Sequence, residues 1–164
     1  MKSSATRPVI LVSACLVGCR ARYDGTIIAT PDERLERWMA AGLVLPFCPE
    51  TAGGLPVPRP PAEIAGGVGQ GVLAGSARIR TCEGSDVTAA FVDGARLALE
   101  ACRRFELRLA VLKEGSPSCG TTRIYDGHFR HRRVAGQGVT TALLAAHGIG
   151  VYNEDSLAAL KVPV

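Results

Sequence analysis

The sequence predicts a three-layer α/β fold, Rossmann-like in the loose sense, with a mainly parallel sheet and long Gly/Pro-rich loops. Three observations predict it. Short β-branched apolar runs alternate along the chain with stretches at helical spacing, the pattern of strands joined by crossover helices. Nineteen Gly and ten Pro supply the loops. A 47% hydrophobic, 21% charged composition with mean hydropathy +0.17 rules out intrinsic disorder. At 164 residues the chain is expected to form a single α/β domain, 1–164, large enough to bury a core without staples.

The elements follow in order. Val9-Ile10-Leu11-Val12-Ser13 is a short apolar run of the kind found in buried parallel strands. Tyr23-Asp24-Gly25 makes a turn. Thr30-Pro31-Asp32-Glu33 reads as a helix start, with Thr30 as cap, Pro31 in the first helical position and Glu33 closing a capping box. That helix runs to about Ala41 and Gly42 ends it. Leu43 to Phe47 is the second strand, with Pro46 near its end because proline cannot donate to a ladder. From Pro49 to Ile64 the chain reads as loop, extended through Pro56-Val57-Pro58-Arg59-Pro60-Pro61. Short edge strands are expected at Val72-Leu73 and at Ala77 to Thr81. The longest helix opens at Ser85 or Asp86 and runs to about Phe105, with Phe91, Ala95, Ala98, Cys102 and Phe105 on one face. Strand Arg108 to Leu112, helix Val139 to His147, strand Ile149 to Tyr152 and a short helix from Asp155 complete the chain. No G-x-G-x-x-G follows the first strand, so the sequence gives no support to a dinucleotide site.

Charge and cysteine usage narrow the function classes. The formal net charge is +4, but the basic residues are scattered, and the densest run, Arg130-His131-Arg132-Arg133, reads as a solvated loop. The sequence therefore argues against a nucleic-acid partner. No stretch approaches the roughly 20 apolar residues of a membrane span, and Pro8 to Cys15 is too short for the apolar core of a signal peptide. Six cysteines at wide, irregular spacing do not form a disulfide framework. The expectation is a cytoplasmic protein with reduced thiols and no membrane partner.

Three of those thiols, Cys15, Cys48 and Cys119, are read as lying just past the carboxyl ends of expected strands, where open parallel sheets place their ligand crevice. Glycines follow each one and permit close backbone approach. On the residues alone, buried structural thiols and a shared site are equally good readings of this trio. Cys102 lies on the apolar helix face and reads as core. Cys82 carries no signature, and Cys19 makes only a C-x3-C with Cys15.

The surrounding blocks are more specific. They are Ser13-Ala14-Cys15-Leu16-Val17-Gly18, Arg22-Tyr23-Asp24-Gly25, Cys48-Pro49-Glu50-Thr51-Ala52-Gly53-Gly54-Leu55 and Pro58-Arg59, followed by Gly84-Ser85-Asp86-Val87-Thr88 and Leu112-Lys113. Ser116-Pro117-Ser118-Cys119-Gly120, Tyr125-Asp126-Gly127 and Gly136-Gln137-Gly138-Val139-Thr140 complete the set. In this order, over about Val9 to Asp155, they resemble the thiouracil desulfidase family of small three-cysteine iron–sulfur proteins. The resemblance implies a 4Fe–4S cluster held by Cys15, Cys48 and Cys119. It also implies a small thiolated nucleobase or nucleoside as substrate, such as 2-thiouracil.

The implied chemistry is a redox-neutral exchange of C=S for C=O. A cluster usually takes four thiolates, so three leave one iron open, as catalytic metal sites keep a position open. Soft iron prefers a thiocarbonyl sulfur to a carbonyl oxygen; water attacks the carbon and sulfur leaves as hydrosulfide on the iron. Glu50, two residues after an implied ligand, is the expected general base. Ser116 and Ser118 are candidates to bind substrate or relay a proton, with loop-stabilising turn serines as the plain alternative. Arg59 and Lys113 could bind a substrate oxygen or offset cluster charge. His128, His131 and His147 match no zinc spacing. Two other readings of the thiols stand beside this one: a persulfide sulfurtransferase with a single reactive cysteine, and a metal-stabilised binding module without catalysis, which the absence of C-x2-C pairs disfavours.

Overall fold

A computed structural model describes residues 6–28 and 31–162. In chain order its strands are β1 (Ile10–Ser13), β2 (Val44–Phe47), β3 (Ala62–Ala65), β4 (Arg78–Thr81), β5 (Leu109–Leu112), β6 (Arg123–Tyr125), β7 (Arg133–Ala135) and β8 (Gly150–Asn153). Its α-helices are α1 (Glu33–Ala40), α2 (Pro49–Ala52), α3 (Gly69–Ala74), α4 (Thr88–Phe105) and α5 (Val139–Ala146). Four strands form a parallel sheet in the order β2-β1-β5-β8. This is the Rossmann-like α/β arrangement the alternating pattern predicts.

The side-chain period of two divides the sheet's apolar residues between two layers. Ile10 and Val12 of β1 and Val111 of β5 pack on Leu35 and Trp38 of α1 and on Leu157 and Leu160 near the carboxyl end. Leu11, Ala110 and Leu112 point the other way, onto Ala98, Leu99 and Cys102 of α4 and Leu144 of α5. Pro46 lies in β2, an edge strand, where its missing donor does least harm. The apolar stripe of α4 holds as read: Phe91, Ala95, Ala98 and Cys102 are buried, and Phe105 packs at the edge.

The second half of the core differs more from the sequence reading. An antiparallel pair, β3 with β4, and a smaller hairpin, β6 with β7, pack with α3 and the first half of α4 around Ile64, Val72, Ile79, Phe91, Ile124 and Val139. The expected strand at Ala77 to Thr81 is β4, but Val72-Leu73 lies in helix α3. The supposed loop from Pro49 to Ile64 contains α2 and most of β3. In α3, docking of Val72 into this core outweighs the poor helix propensity of Gly69 and Gly71. The hairpin strands are three residues each, and Ile124 is the buried anchor.

Helix α1 begins later than expected. Asp32 is its cap, the carboxylate accepting the Arg34 N–H at 2.8 Å, and Glu33 is the first helical residue. The proposed cap Thr30 lies outside the described residues. Helix α4 also begins later than expected, at Thr88 with Val87 in the cap position, and Asp86, just before it, accepts the N–H of Thr88 at 2.9 Å. The final short helix is one 3-10 turn, Leu157–Ala159.

Candidate active site

Because the central strands are parallel, their carboxyl ends share one edge of the sheet, and the three loops leaving β1, β2 and β5 meet there. A cavity of about 700 Å³ opens at this edge. Its walls include Cys15, Cys48 and Cys119, together with Glu50, Arg59, Lys113 and Ser116. These three thiols, 33 and 71 residues apart in sequence, thus share one wall system, the second of the two readings that their strand-end positions left open. Among the described residues no three His, Cys, Asp or Glu side chains cluster tightly enough for a single metal ion. The thiols share a cavity and not a point.

Each thiol is placed by local structure. Cys15 sits in the 3-10 turn Ala14–Val17, which follows β1 directly and closes at Gly18 with a left-handed φ of 89°. Cys48 is the cap of α2, with Pro49 in the first turn, and its Sγ lies 3.9 Å from the carbonyl of Ala21. Cys119 is held in a tight turn whose centre is the Ser116 hydroxyl: Oγ accepts the N–H groups of Ser118 at 3.0 Å and Cys119 at 3.1 Å. Ser13 donates to the Cys119 sulfur at 3.7 Å and accepts the Lys113 N–H at 3.0 Å, which ties β1 to the Cys119 loop.

Burial governs the acidity of two of these thiols. It pushes Cys119 far up, the charge of Glu50 adds to it, and the hydroxyls of Ser13 and Ser118 only partly oppose it. Cys15 is pushed up to about 11, by burial first and by Cys48 next, against the charges of Lys113 and Arg22. In the protein alone both therefore stand as neutral thiols at pH 7, and a bound cationic centre is what would hold them as thiolates.

Glu50 is not on a loop, as the sequence reading had it, but on α2. Backbone-to-backbone packing fixes that helix: a Cβ at Gly94 would collide with the Pro49 carbonyl, and one at Gly53 with the carbonyl of Ala90. Only glycine at both places lets α2 lie against α4. Arg59 Nε donates to Glu50 Oε1 at 3.2 Å, and the Ser116 hydroxyl donates to Oε2 at 3.4 Å. Burial raises the Glu50 pKa, with the Arg59 charge and the two hydrogen bonds opposing. Arg59, a candidate to bind a substrate oxygen or offset cluster charge, has a side chain only 5% exposed and also donates to the carbonyls of Ala21 (2.9 Å) and Pro56 (3.1 Å).

The other sequence candidates separate. Ser118 is fully buried, shares a 2.8 Å hydrogen bond with Thr140 and stands behind the Cys119 sulfur, outside the cavity wall. Lys113 lines the cavity and donates to Glu154 at 2.8 Å. Cys102 is core and Cys19 is exposed away from the cavity, but Cys82, exposed, is part of the cavity lining. His131 and Arg133, from the basic run, also reach its rim.

Sequence reasoning missed Glu114, the second residue of the loop that carries Ser116 and Cys119. Its Oε1 accepts the N–H groups of Thr121 (2.9 Å), Arg123 (3.1 Å), Thr122 and Gly115 (both 3.2 Å). Its Oε2 accepts the hydroxyls of Thr121 (2.7 Å) and Thr122 (3.0 Å) and the Asn153 amide (2.6 Å). Burial would raise its pKa, but these bonds outweigh burial and hold it at about 2. An acid at a strand end followed by Gly115 and, after the turn, by Thr121-Thr122 was the available signal.

A family model for 2-thiouracil desulfurase matches residues 10–156, which span Cys15, Cys48 and Cys119 as well as Glu50 and Glu114. The chain belongs to that family. A solved structure of a 4Fe-4S-dependent thiouracil desulfidase, TudS (DUF523Vcz), is 49% identical with a TM-score of 0.84, covering 94% of this chain and 95% of that one. YbbK of Bacillus subtilis (strain 168), itself uncharacterized, is 42% identical over 149 residues, 91% of this chain and 97% of its own. Family membership thus rests on nearly the full length, and the likeness to TudS includes the parallel sheet. Among the described residues no helix is long and apolar enough to cross a membrane.

Proposed function

We propose that the protein hydrolytically desulfurates a thiolated pyrimidine such as 2-thiouracil, converting C=S to C=O, with a 4Fe–4S cluster held by Cys15, Cys48 and Cys119. The observation that carries this reading is the sharing of one cavity by Cys15, Cys48, Cys119, Glu50 and Ser116 in a chain of this family. The three thiols border one cavity and lie near enough to raise one another's pKa values, Cys48 acting on Cys15 and Cys15 on Cys119, as soft donors gathered for one group would. When bound through three thiolates, such a cluster supplies one soft iron free of protein ligands, a partner for thiocarbonyl sulfur.

The chain's own residues supply the proton handling. Glu50 is the base that takes a proton from the attacking water; burial lifts its pKa toward the working range of a general base, while Arg59 and Ser116 fix the carboxylate's direction. Ser116 is aimed at Glu50 because two backbone N–H groups occupy its lone pairs. Ser118, behind Cys119, is read as a packing and sulfur-orienting group. Lys113 places a positive charge near the thiolates. The reaction consumes one water, forms C–O, breaks C–S and releases hydrosulfide, with nothing oxidised or reduced.

Anaerobic purification or reconstitution, followed by iron and acid-labile sulfide analysis, should give a brown protein with about four iron per chain. The same sample should convert 2-thiouracil to uracil and hydrosulfide without an added electron donor. A colourless protein that carries zinc, or nothing, and forms no uracil would sink the reading.

A further inference from the structure

Five of the chain's eight aromatic side chains line the cavity: Tyr23, Phe47, Phe91, Tyr125 and Phe129. Four are already engaged or lie open. Phe91 belongs to the core around Ile64 and Ile124, and Phe47 packs on the core beneath the sheet. Tyr125 has the Arg133 guanidinium over its ring at 5.5 Å. Tyr23 is 44% exposed. Phe129 is half-buried on the cavity wall yet belongs to no core cluster.

The backbone is forced to present it. Phe129 and His131 have φ of 55° and 57°, two of only three non-glycine residues among those described with left-handed backbone. Such strain persists where the surroundings over-determine it, and it gathers at ligand clamps. The fastening is a buried carboxylate that the desulfuration scheme does not use. Glu63, in β3 and 8% exposed, accepts the N–H groups of Gly127 at 2.9 Å and Phe129 at 3.3 Å through one oxygen. Gly127, with φ of 89°, lies so close that a Cβ there would strike the Ile64 carbonyl.

We propose that Phe129 is the stacking surface for the substrate's planar ring and that Glu63 is the positioning residue that holds it over the cavity. The inference rests on the desulfidase reading and adds the residue that selects an aromatic thiocarbonyl over an acyclic one. Planar heterocycles of any base identity stack on an aromatic face, so the preference it confers is for ring shape.

The test combines steady-state kinetics on cluster-loaded protein with equilibrium dialysis of uracil, a non-reacting probe. Phe129→Ala should weaken uracil binding and raise the KM for 2-thiouracil by about 10-fold or more. Iron content should be unchanged and kcat should stay within about twofold, the mark of lost ring binding in ground and transition state alike. Activity on thiourea, a thiocarbonyl without a ring, should be unaffected. Phe129→Gly relieves the left-handed strain, so it should melt above Phe129→Ala while losing binding equally; this separates recognition from stability. Glu63→Gln keeps an acceptor oxygen and should stay near the parent, whereas Glu63→Ala should raise KM with kcat retained. A Phe129→Ala protein with the parental KM, or one that loses thiourea and 2-thiouracil alike, overturns the stacking assignment and leaves the desulfidase reading standing. A parent protein that neither binds uracil nor forms it from 2-thiouracil overturns both.

Discussion

Glu50, on α2, and Glu114, in the loop after β5, line the same cavity, and their pKa values are shifted in opposite directions. Glu50 is buried with one guanidinium and one hydroxyl, and burial wins, so its pKa rises. Glu114 is buried with four backbone N–H groups, two hydroxyls and an amide, and hydrogen bonding wins, so its pKa falls to about 2. The number of donors, not burial, decides whether a carboxylate here is a proton acceptor in waiting or a permanent anion clamping a loop. The Glu50 side remains adjustable and open to the cavity. On the Glu114 side both ends of the Cys119 loop are fixed, because its acceptors gather Gly115 at one end and Thr121 to Arg123 at the other.

The largest expected effect is at Glu50. Glu50→Gln should retain a normal iron content and lose turnover by about 10²–10⁴, the range for a positioned general base. Iron loss in that variant would make Glu50 a structural carboxylate like Glu114, and normal turnover would move water activation elsewhere. Cys15→Ser, Cys48→Ser and Cys119→Ser should each abolish iron retention, measured on anaerobically reconstituted protein. Retention by Cys15→Ser with loss by Cys19→Ser would transfer the first ligand to Cys19.

Glu114→Ala strands several buried donors at once and should lower stability by about 1–3 kcal/mol or more in urea titrations of the cluster-free protein. The same carboxylate predicts an acid limb. Its folded pKa lies below the unfolded one, so its contribution is present above the ordinary glutamate range and is lost as pH falls from there toward about 2. Glu50 works in the opposite sense, its folded form favouring the proton. The acid limb should flatten in Glu114→Gln but survive in Glu50→Gln; equal limbs would erase the contrast.

Smaller and unequal losses are expected at the serines. Ser116→Ala removes the hydroxyl that donates to Glu50 and accepts two N–H groups, so its turnover should fall further than that of Ser118→Ala. The reverse order would place the substrate on the far side of Cys119. The smallest effect belongs to Cys102→Ser, which puts a hydroxyl into the α4 core and should cost about 1–2 kcal/mol with iron and activity kept.

Much of this was legible in the residues. Short continuous apolar runs placed β1, β2, β5 and β8, and the stripe from Phe91 to Cys102 placed α4, because strands buried on both faces and a helix buried on one leave those patterns in the residues. Elements stabilised mainly by their neighbours were not legible. Helix α3 begins Gly-Gln-Gly and folds because Val72 docks, and the β6–β7 hairpin rests on one buried isoleucine within a run that otherwise looks solvated. Exposure of the basic run was read correctly, yet His131 and Arg133 stand at the cavity rim.

By itself the sequence determined the alternation of strands and helices, and with it the place of Cys15, Cys48 and Cys119 beyond the carboxyl ends of parallel strands, which lie on one side of the sheet; the structure decided that the three border one cavity. It also carried the family resemblance in its Cys-Pro-Glu and Ser-Pro-Ser-Cys-Gly blocks. Tertiary structure alone decided which carboxylate is raised and which is lowered, that Ser116 faces the cavity and Ser118 the core, and that Arg59 is buried against Glu50. Those outcomes depend on desolvation and on donors from distant segments, and neither quantity exists until the chain has packed.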